Sequence, residues 1–188
     1  MADLTQQQFR ELFSYDKDSG MLRWMPKKDG DLSSARSVSS WNTKYAGRLA
    51  GSKGAAGYLR VNVQGKKHFV HRVVWVMANG EIPTNMQIDH INHIRDDNRL
   101  QNLRLVTHQE NNKNISLPRK STGPTIGVIK NKRTGSWVAQ IKVDGKKIHL
   151  ATTKDMNEAI RIRAEANKKF GFHENHGANP PMIPAVNK

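Results

Sequence analysis

The sequence predicts an α+β fold made of small modules in series, on three observations. Strand-like stretches at 58–63, 66–70, 86–90, 126–130, 137–143 and 146–151 are separated by turns, among them Gln64-Gly65 and Asp144-Gly145, as in antiparallel hairpins. Helical spacing appears in separate short runs, Phe9, Leu12 and Phe13 near one end and Met156, Ala159, Ile160, Ala164 and Ala166 near the other. The 188 residues suffice for one ordinary domain or two small ones, each with a modest core, and not for a large multidomain enzyme.

Taken in order, Thr5 and Gln8 stand at capping-box spacing ahead of the first helical run. Ser19-Gly20 makes a turn before Met21, Leu22, Arg23 and Trp24. The stretch 27–40 is polar, rich in Gly and Ser and without periodicity, so it reads as a loop. Leu59, Val61 and Val63 then share one face of a strand, Gln64-Gly65 turns the chain, and 66–70 returns as a hairpin partner. Residues 71–78 are too apolar on one side for a loop and form a short buried helix closed by Asn79-Gly80. After an exit turn containing Pro83 come a strand at 86–90, a polar excursion at 91–99 and a second strand at 100–106. Thr107 then caps a helix beginning His108, Gln109, Glu110.

Residues 116–124 mix Ser, Pro, Gly, Lys and Arg, a composition that extends rather than packs, and a domain boundary is expected there. Beyond it lie three antiparallel strands with turns at Thr134-Gly135 and Asp144-Gly145, then a helix with Asp155 and Glu158 at capping spacing and Gly171 at its end. The tail 173–188, with Asn179-Pro180-Pro181, is expected to be disordered. The division is therefore 1–57, 58–115, a linker at 116–125, 126–172, and the tail.

Composition narrows the partner. The formal net charge is +15, from 31 Lys and Arg against 16 Asp and Glu, an imbalance that folding does not need and that points to a polyanion. No apolar run approaches the roughly 18 residues of a membrane-spanning helix, so nucleic acid is favoured over a membrane. Cysteine is absent, which excludes disulfides and thiolate zinc sites. No secretory signal is visible at the start, and a cytoplasmic protein is expected. No protein partner is evident.

The chemistry concentrates in Gln87-Ile88-Asp89-His90-Ile91-Asn92, then Asp97-Asn98-Arg99-Leu100-Gln101-Asn102-Leu103-Arg104-Leu105-Val106-Thr107, then Glu110-Asn111-Asn112. Strand, loop, strand and helix in that order converge Asp89, His90, Asn102 and the helix start on a concavity suited to one hard cation. With the preceding His71-Arg72-Val73-Val74-Trp75, this stretch resembles the HNH family, the ββα-metal nucleases, in the form found in phage and intron-encoded homing endonucleases. The resemblance covers about 71–114.

It implies an endonuclease of a phage-infected host cell, acting on double-stranded DNA and nicking one strand per binding event to leave 5′-phosphate and 3′-hydroxyl ends. Asp89 resembles the carboxylate metal ligand, His90 the general base, Asn102 the residue that steadies the hairpin, and Asn111 the second metal ligand. Each role suits phosphodiester hydrolysis, which needs a base near neutral pH and a divalent ion on the phosphate. Asn111 stands where the best-known members have histidine, which favours magnesium, or manganese, over a transition metal held by two imidazoles. The loop Ile91-Asn92-His93-Ile94 puts a ring where the family commonly has glycine. Outside this spacing an Asp-His pair is common, Asn102 is equally suited to a turn or cap, and His71 fits packing at a helix start.

Residues 126–171 resemble the AP2 domain, a three-stranded sheet backed by a helix, through Gly127-Val128-Ile129, Trp137-Val138-Ala139-Gln140-Ile141, Gly145-Lys146-Lys147-Ile148-His149-Leu150 and Glu158-Ala159. The resemblance implies a sheet that enters the major groove, with Lys130, Lys132, Arg133, Trp137, Gln140, Lys142 and Lys147 as the DNA-binding candidates. Strand alternation puts Trp137, Ala139 and Ile141 on one face and Val138, Gln140 and Lys142 on the other, so Trp137 is also a core candidate. The whole is an α+β chain: a ββα-metal core preceded by a small α/β region, then an AP2-like sheet and helix. Two other functions fit the charge, a non-catalytic DNA-binding regulator and an RNA-binding protein, although no RRM or KH pattern is present. Residues 1–57 carry no discriminating feature; they brace the nuclease or add DNA contacts through Lys27, Lys28, Arg36, Lys44 and Arg48.

Overall fold

The computed structural model describes residues 4–118, 121 and 123–178. The mixed α+β class is as predicted, and the chain divides into two compact units, Met1–Val106 and Thr107–Lys188. Among the described residues no helix is long and apolar enough to cross a membrane.

In the first unit, helix α1 (Gln6–Leu12) begins at a capping box in which Thr5 and Gln8 satisfy each other's backbone N–H groups. A hairpin follows, β1 (Phe13–Asp16) with β2 (Met21–Trp24), paired from Phe13↔Trp24 to Asp16↔Met21. Three antiparallel strands come next, β3 (Ser52–Lys53), β4 (Leu59–Val63) and β5 (Lys66–Phe69), in the order β3-β4-β5. Helix α3 (Val70–Asn79) starts directly after β5 and buries Val70, Val73, Val74 and Met77, a stripe at helical spacing. That stripe is the centre of a core completed by Phe9, Phe13, Leu22, Val61, Val63, Ile88 and Leu103. Ile88 and Leu103 belong to β6 (Met86–His90) and β7 (Leu103–Thr107), which pair with each other.

Two expectations are corrected here. The stretch read as a loop at 27–40 contains the start of α2 (Ala35–Tyr45), with Ser34 accepting from Ser37 N at its N-cap. The helix buries one residue, Val38, and its Trp41 and Tyr45 rings lie 5.5 and 6.5 Å from the Trp24 ring. Aromatic packing across the fold therefore stabilises a segment whose local composition gives no helical period. The second strand of the site begins at Leu103, because Leu100–Asn102 is a 3₁₀ turn.

In the second unit, α4 (His108–Asn112) opens on a capping box formed by Thr107 and Glu110. Strands β8 (Val128–Lys130), β9 (Trp137–Val143) and β10 (Lys146–Thr153) form an antiparallel sheet with β9 central, and α5 (Met156–Lys169) follows. Val128, Ala139 and Ala159 are fully buried together, with Trp137, Leu150, Ile160 and Ile162 packed around them. Small residues let the helix approach the sheet closely. The stretch expected to be a tail is ordered through Ala178. Gly177 N donates to Ile115 O (2.8 Å), His173 N to Lys113 O (3.0 Å), and His176 is buried. The remainder of that expectation, 179–188, lies outside the described residues. The expected linker also takes part, since Leu117 N donates to Ala178 O.

Gly127 marks a close approach of sheet and helix. Its φ is +83°, and a Cβ there would stand 2.2 Å from Gln140 O on β9 and 2.6 Å from Arg163 Nε on α5. Gly145 shares the positive φ, +79°, but has nothing within 4 Å. Gly127→Ala should therefore lower the urea midpoint well beyond the roughly 1–2 kcal/mol of left-handed strain that Gly145→Ala carries. Equal losses in the two variants would show that the contact is easily relaxed.

Candidate functional site

The 91–99 segment between β6 and β7 is held by side chains rather than by secondary structure. Asn102 Oδ1 accepts from Asn92 N at 3.0 Å while its Nδ2 donates to Asp97 O at 2.9 Å, so one amide ties both ends of the loop. Asp97 is the second anchor. It accepts from Asn92 Nδ2 (2.8 Å) and from Arg99 Nε and Nη2 (2.8 and 2.6 Å). The Arg99 guanidinium holds its carboxyl below the usual carboxylate range. His93 adopts a φ of +63°, a conformation in which glycine is unstrained.

The pairing of β6 with β7 sets Asp89 and His90 at the rim of this loop, both buried. Asp89 Oδ2 accepts from Arg104 Nε at 3.0 Å and Nη2 at 2.8 Å, and this pair compensates a carboxylate that burial would otherwise destabilise. His90 Nε2 lies 3.2 Å from Asn98 Oδ1. The His90 ring meets His71 edge-on at 4.9 Å, with Tyr58 at 5.3 Å from His71 and 5.8 Å from His90. Phe69 stacks on His71 at 5.3 Å.

These surroundings disfavour charge on both imidazoles. Burial pushes His71 down to about 3, with the neighbouring His90 and Arg72 adding to the shift. Burial also lowers His90, against the opposing hydrogen bond to Asn98 and the nearby Asp89, Asp97 and Asp96. A neutral imidazole beside a buried carboxylate is the pairing that proton abstraction requires.

Sequence reasoning placed Asp89, His90 and Asn102 in this site, and the first unit brings the three together. Asn111 is half-buried on α4, in the second unit. Asn98, Arg104 and Tyr58 were not assigned roles from sequence, and His71 was read as packing at a helix start; Asn98 and Arg104 stand in the same motif, but nothing local shows which of its polar residues turn inward. Among the described residues no group of three His, Cys, Asp or Glu could hold a metal ion.

The candidate DNA contacts are all in the second unit. Lys142 and Lys147 stand directly opposite each other, and Gln140 is opposite His149 on the same face. Lys132 and Arg133 are exposed in the turn after β8, where Asn131 Oδ1 accepts from Arg133 N (3.0 Å) and Thr134 N (3.3 Å). Trp137 is half-buried on the opposite, core-facing side of β9, and the exposed Lys130 sets its Nζ 5.7 Å from the Trp137 ring centre.

Residues 68–113 match the HNH endonuclease family. Protein 3.8 of Escherichia phage T7 is 33% identical over 104 residues, 53% of this chain and 85% of that protein. No solved structure matches. The chain belongs to the family of the phage T7 protein and carries an HNH endonuclease domain at 68–113.

The buried histidines give the fold a pH dependence of known sign. Unfolded His71 takes up a proton below about pH 6.5, while the folded ring does so only near 3, so stability is lost as pH falls from 6.5. At pH 5 this amounts to on the order of 2 kcal/mol. Urea unfolding at pH 7 and 5 should show that loss, and His71→Phe should remove much of it; the same slope in both proteins would exclude His71 as its source.

Proposed function

We propose that this HNH-family chain is a phage-encoded, homing-type endonuclease that nicks one strand of double-stranded DNA in the infected cell's cytoplasm. The AP2-like second unit fixes its position on DNA. The observation that carries the nuclease reading is the buried Asp89–His90 pair at the rim of a loop that Asn102 and Asp97 hold closed.

The Asp89 carboxylate is an oxygen donor that suits a hard divalent cation, magnesium or manganese, which keeps several waters and takes few protein ligands. Asn111, in the second unit, is the further ligand that the family resemblance implies. The lack of a three-residue cluster of acids and imidazoles among the described residues fits such a sparse set better than a closed zinc cage. When bound, the ion supplies charge neutralisation at the scissile phosphate and at the departing 3′ oxygen.

The remaining work belongs to this chain's own residues. His90, neutral because it is buried, takes the proton of the attacking water. Asn98 holds the ring, and Asn102 keeps the loop from swinging away from it. Arg104 pairs with Asp89 and keeps it aimed. Attack on phosphorus with expulsion of the 3′ oxygen, which takes a proton from solvent water, leaves 5′-phosphate and 3′-hydroxyl ends.

Lys142 and Lys147 support the DNA role of the second unit. Like charges directly opposite on a sheet destabilise it, and neither residue is ion-paired among the described residues. A phosphate backbone relieves that repulsion. Gln140 lies on the same face as these lysines; Lys132 and Arg133 are exposed in the turn after β8, and Lys130 lies over the Trp137 ring on the other face of the sheet, so these three are proposed as contacts beside that face.

Supercoiled plasmid incubated with magnesium should become open circular with the native chain and remain supercoiled with EDTA or with His90→Ala. His90→Ala should still retard the plasmid. Retention without any cut by the native chain would favour a non-catalytic DNA-binding regulator. Separately, Lys142→Ala combined with Lys147→Ala should weaken binding and flatten the plot of log affinity against log salt by about 1–2 in slope; an unchanged slope would remove both lysines from the phosphate contact.

A further inference from the structure

The first hairpin lies in residues 1–57, for which the sequence left two roles open, bracing the nuclease or adding DNA contacts, and its contacts converge on one point of the site loop. Tyr15, on β1, donates its hydroxyl hydrogen to Asn98 O at 3.0 Å and accepts from Leu100 N at 3.1 Å, so a single phenol spans the main chain on either side of Arg99. The turn of the same hairpin rests on that main chain too. Gly20 is buried with φ +73°, and a Cβ there would stand 2.6 Å from Arg99 N and 2.9 Å from the Asn98 carbonyl carbon. Two independent contacts thus fix residues 98–100 from outside the motif.

What they fix is Asn98, 1% exposed. Its Nδ2 donates to Asp96 O at 3.4 Å, which turns Oδ1 toward His90 Nε2 at 3.2 Å. An amide oxygen accepts and cannot donate, so the ring nitrogen facing it must carry the hydrogen. In a neutral imidazole the other nitrogen then holds the lone pair.

We infer that the N-terminal hairpin is a positioning element of the nuclease site, in which Tyr15, acting through Asn98, holds His90 as the Nε2–H tautomer with Nδ1 as the basic nitrogen. This rests on the nuclease function proposed above. Tyr15 touches no reacting atom; it sets which nitrogen of the base is presented and at what angle. A third group that orients the base is a recurring need of proton-transfer sites, and here it comes from a segment 83 residues away in sequence.

The test is Tyr15→Phe in the full chain, which removes the hydroxyl and keeps the ring. Imidazole nitrogen shifts are recorded by ¹⁵N NMR without metal at a pH where the rings are neutral, with the His90 signals identified by their loss in His90→Ala. Native protein should show one tautomer for His90, with the hydrogen on Nε2, and Tyr15→Phe should show a mixture. Plasmid nicking with magnesium should lose about 10- to 100-fold in kcat, as expected for a misplaced base, with KM unchanged. A His90 hydrogen on Nδ1 in the native chain, or a Tyr15→Phe protein with native nitrogen shifts and native kcat, would overturn the inference. Should the native chain fail to nick any plasmid, the nuclease reading falls by itself, and the nitrogen shifts still decide whether Tyr15 holds the ring.

Discussion

The side-chain amide of Asn102 joins the two ends of the 91–99 loop, accepting from Asn92 N and donating to the Asp97 carbonyl. Without that closure the loop between β6 and β7 has few regular backbone hydrogen bonds to hold it, and backbone groups freed in a buried site would cost free energy comparable to lost hydrogen bonds. Asn92, Asp97 and Arg99 extend the closure into a network in which each side chain makes more than one hydrogen bond. Rigidity of this kind suits a reaction whose rate depends on holding a base and a phosphate in fixed relation.

Around this loop the electrostatics divide into two regimes. Imidazoles sit among rings, where desolvation keeps them neutral, and the His71–His90–Tyr58–Phe69 cluster provides that apolar wall. Carboxylates sit with arginines, Asp89 with Arg104 and Asp97 with Arg99, and for Asp97 the pairing favours the ionised form. Asp89 and His90 thus occupy adjacent positions in the chain but have different partners, an arginine for one and a set of rings for the other.

The second unit follows a different principle. Its core is small, built on Val128, Ala139 and Ala159, and closeness at Gly127 brings sheet and helix together. The ordered turns at 173–178 return over residues 113–117 through backbone hydrogen bonds. Its outer sheet face carries Lys142 and Lys147 directly opposite each other, with no ion pair to either among the described residues.

The sequence by itself determined the modular α+β class, the strand–loop–strand–helix order, and the residue types at 89, 90, 102 and 111, because these depend on local periodicity, turn chemistry and short spacings. It also determined the charge, and with it the class of partner. Helix α2 was not legible, since its stability comes from Trp41 and Tyr45 meeting Trp24 rather than from its own period. Nor were Tyr15 and Gly20, whose partners lie about eighty residues away. Local sequence encodes which conformations are cheap, whereas the identity of a buried neighbour is fixed only when distant segments share one core; the protonation of His90 and the grip on Asp89 are properties of that core, decided by tertiary structure alone.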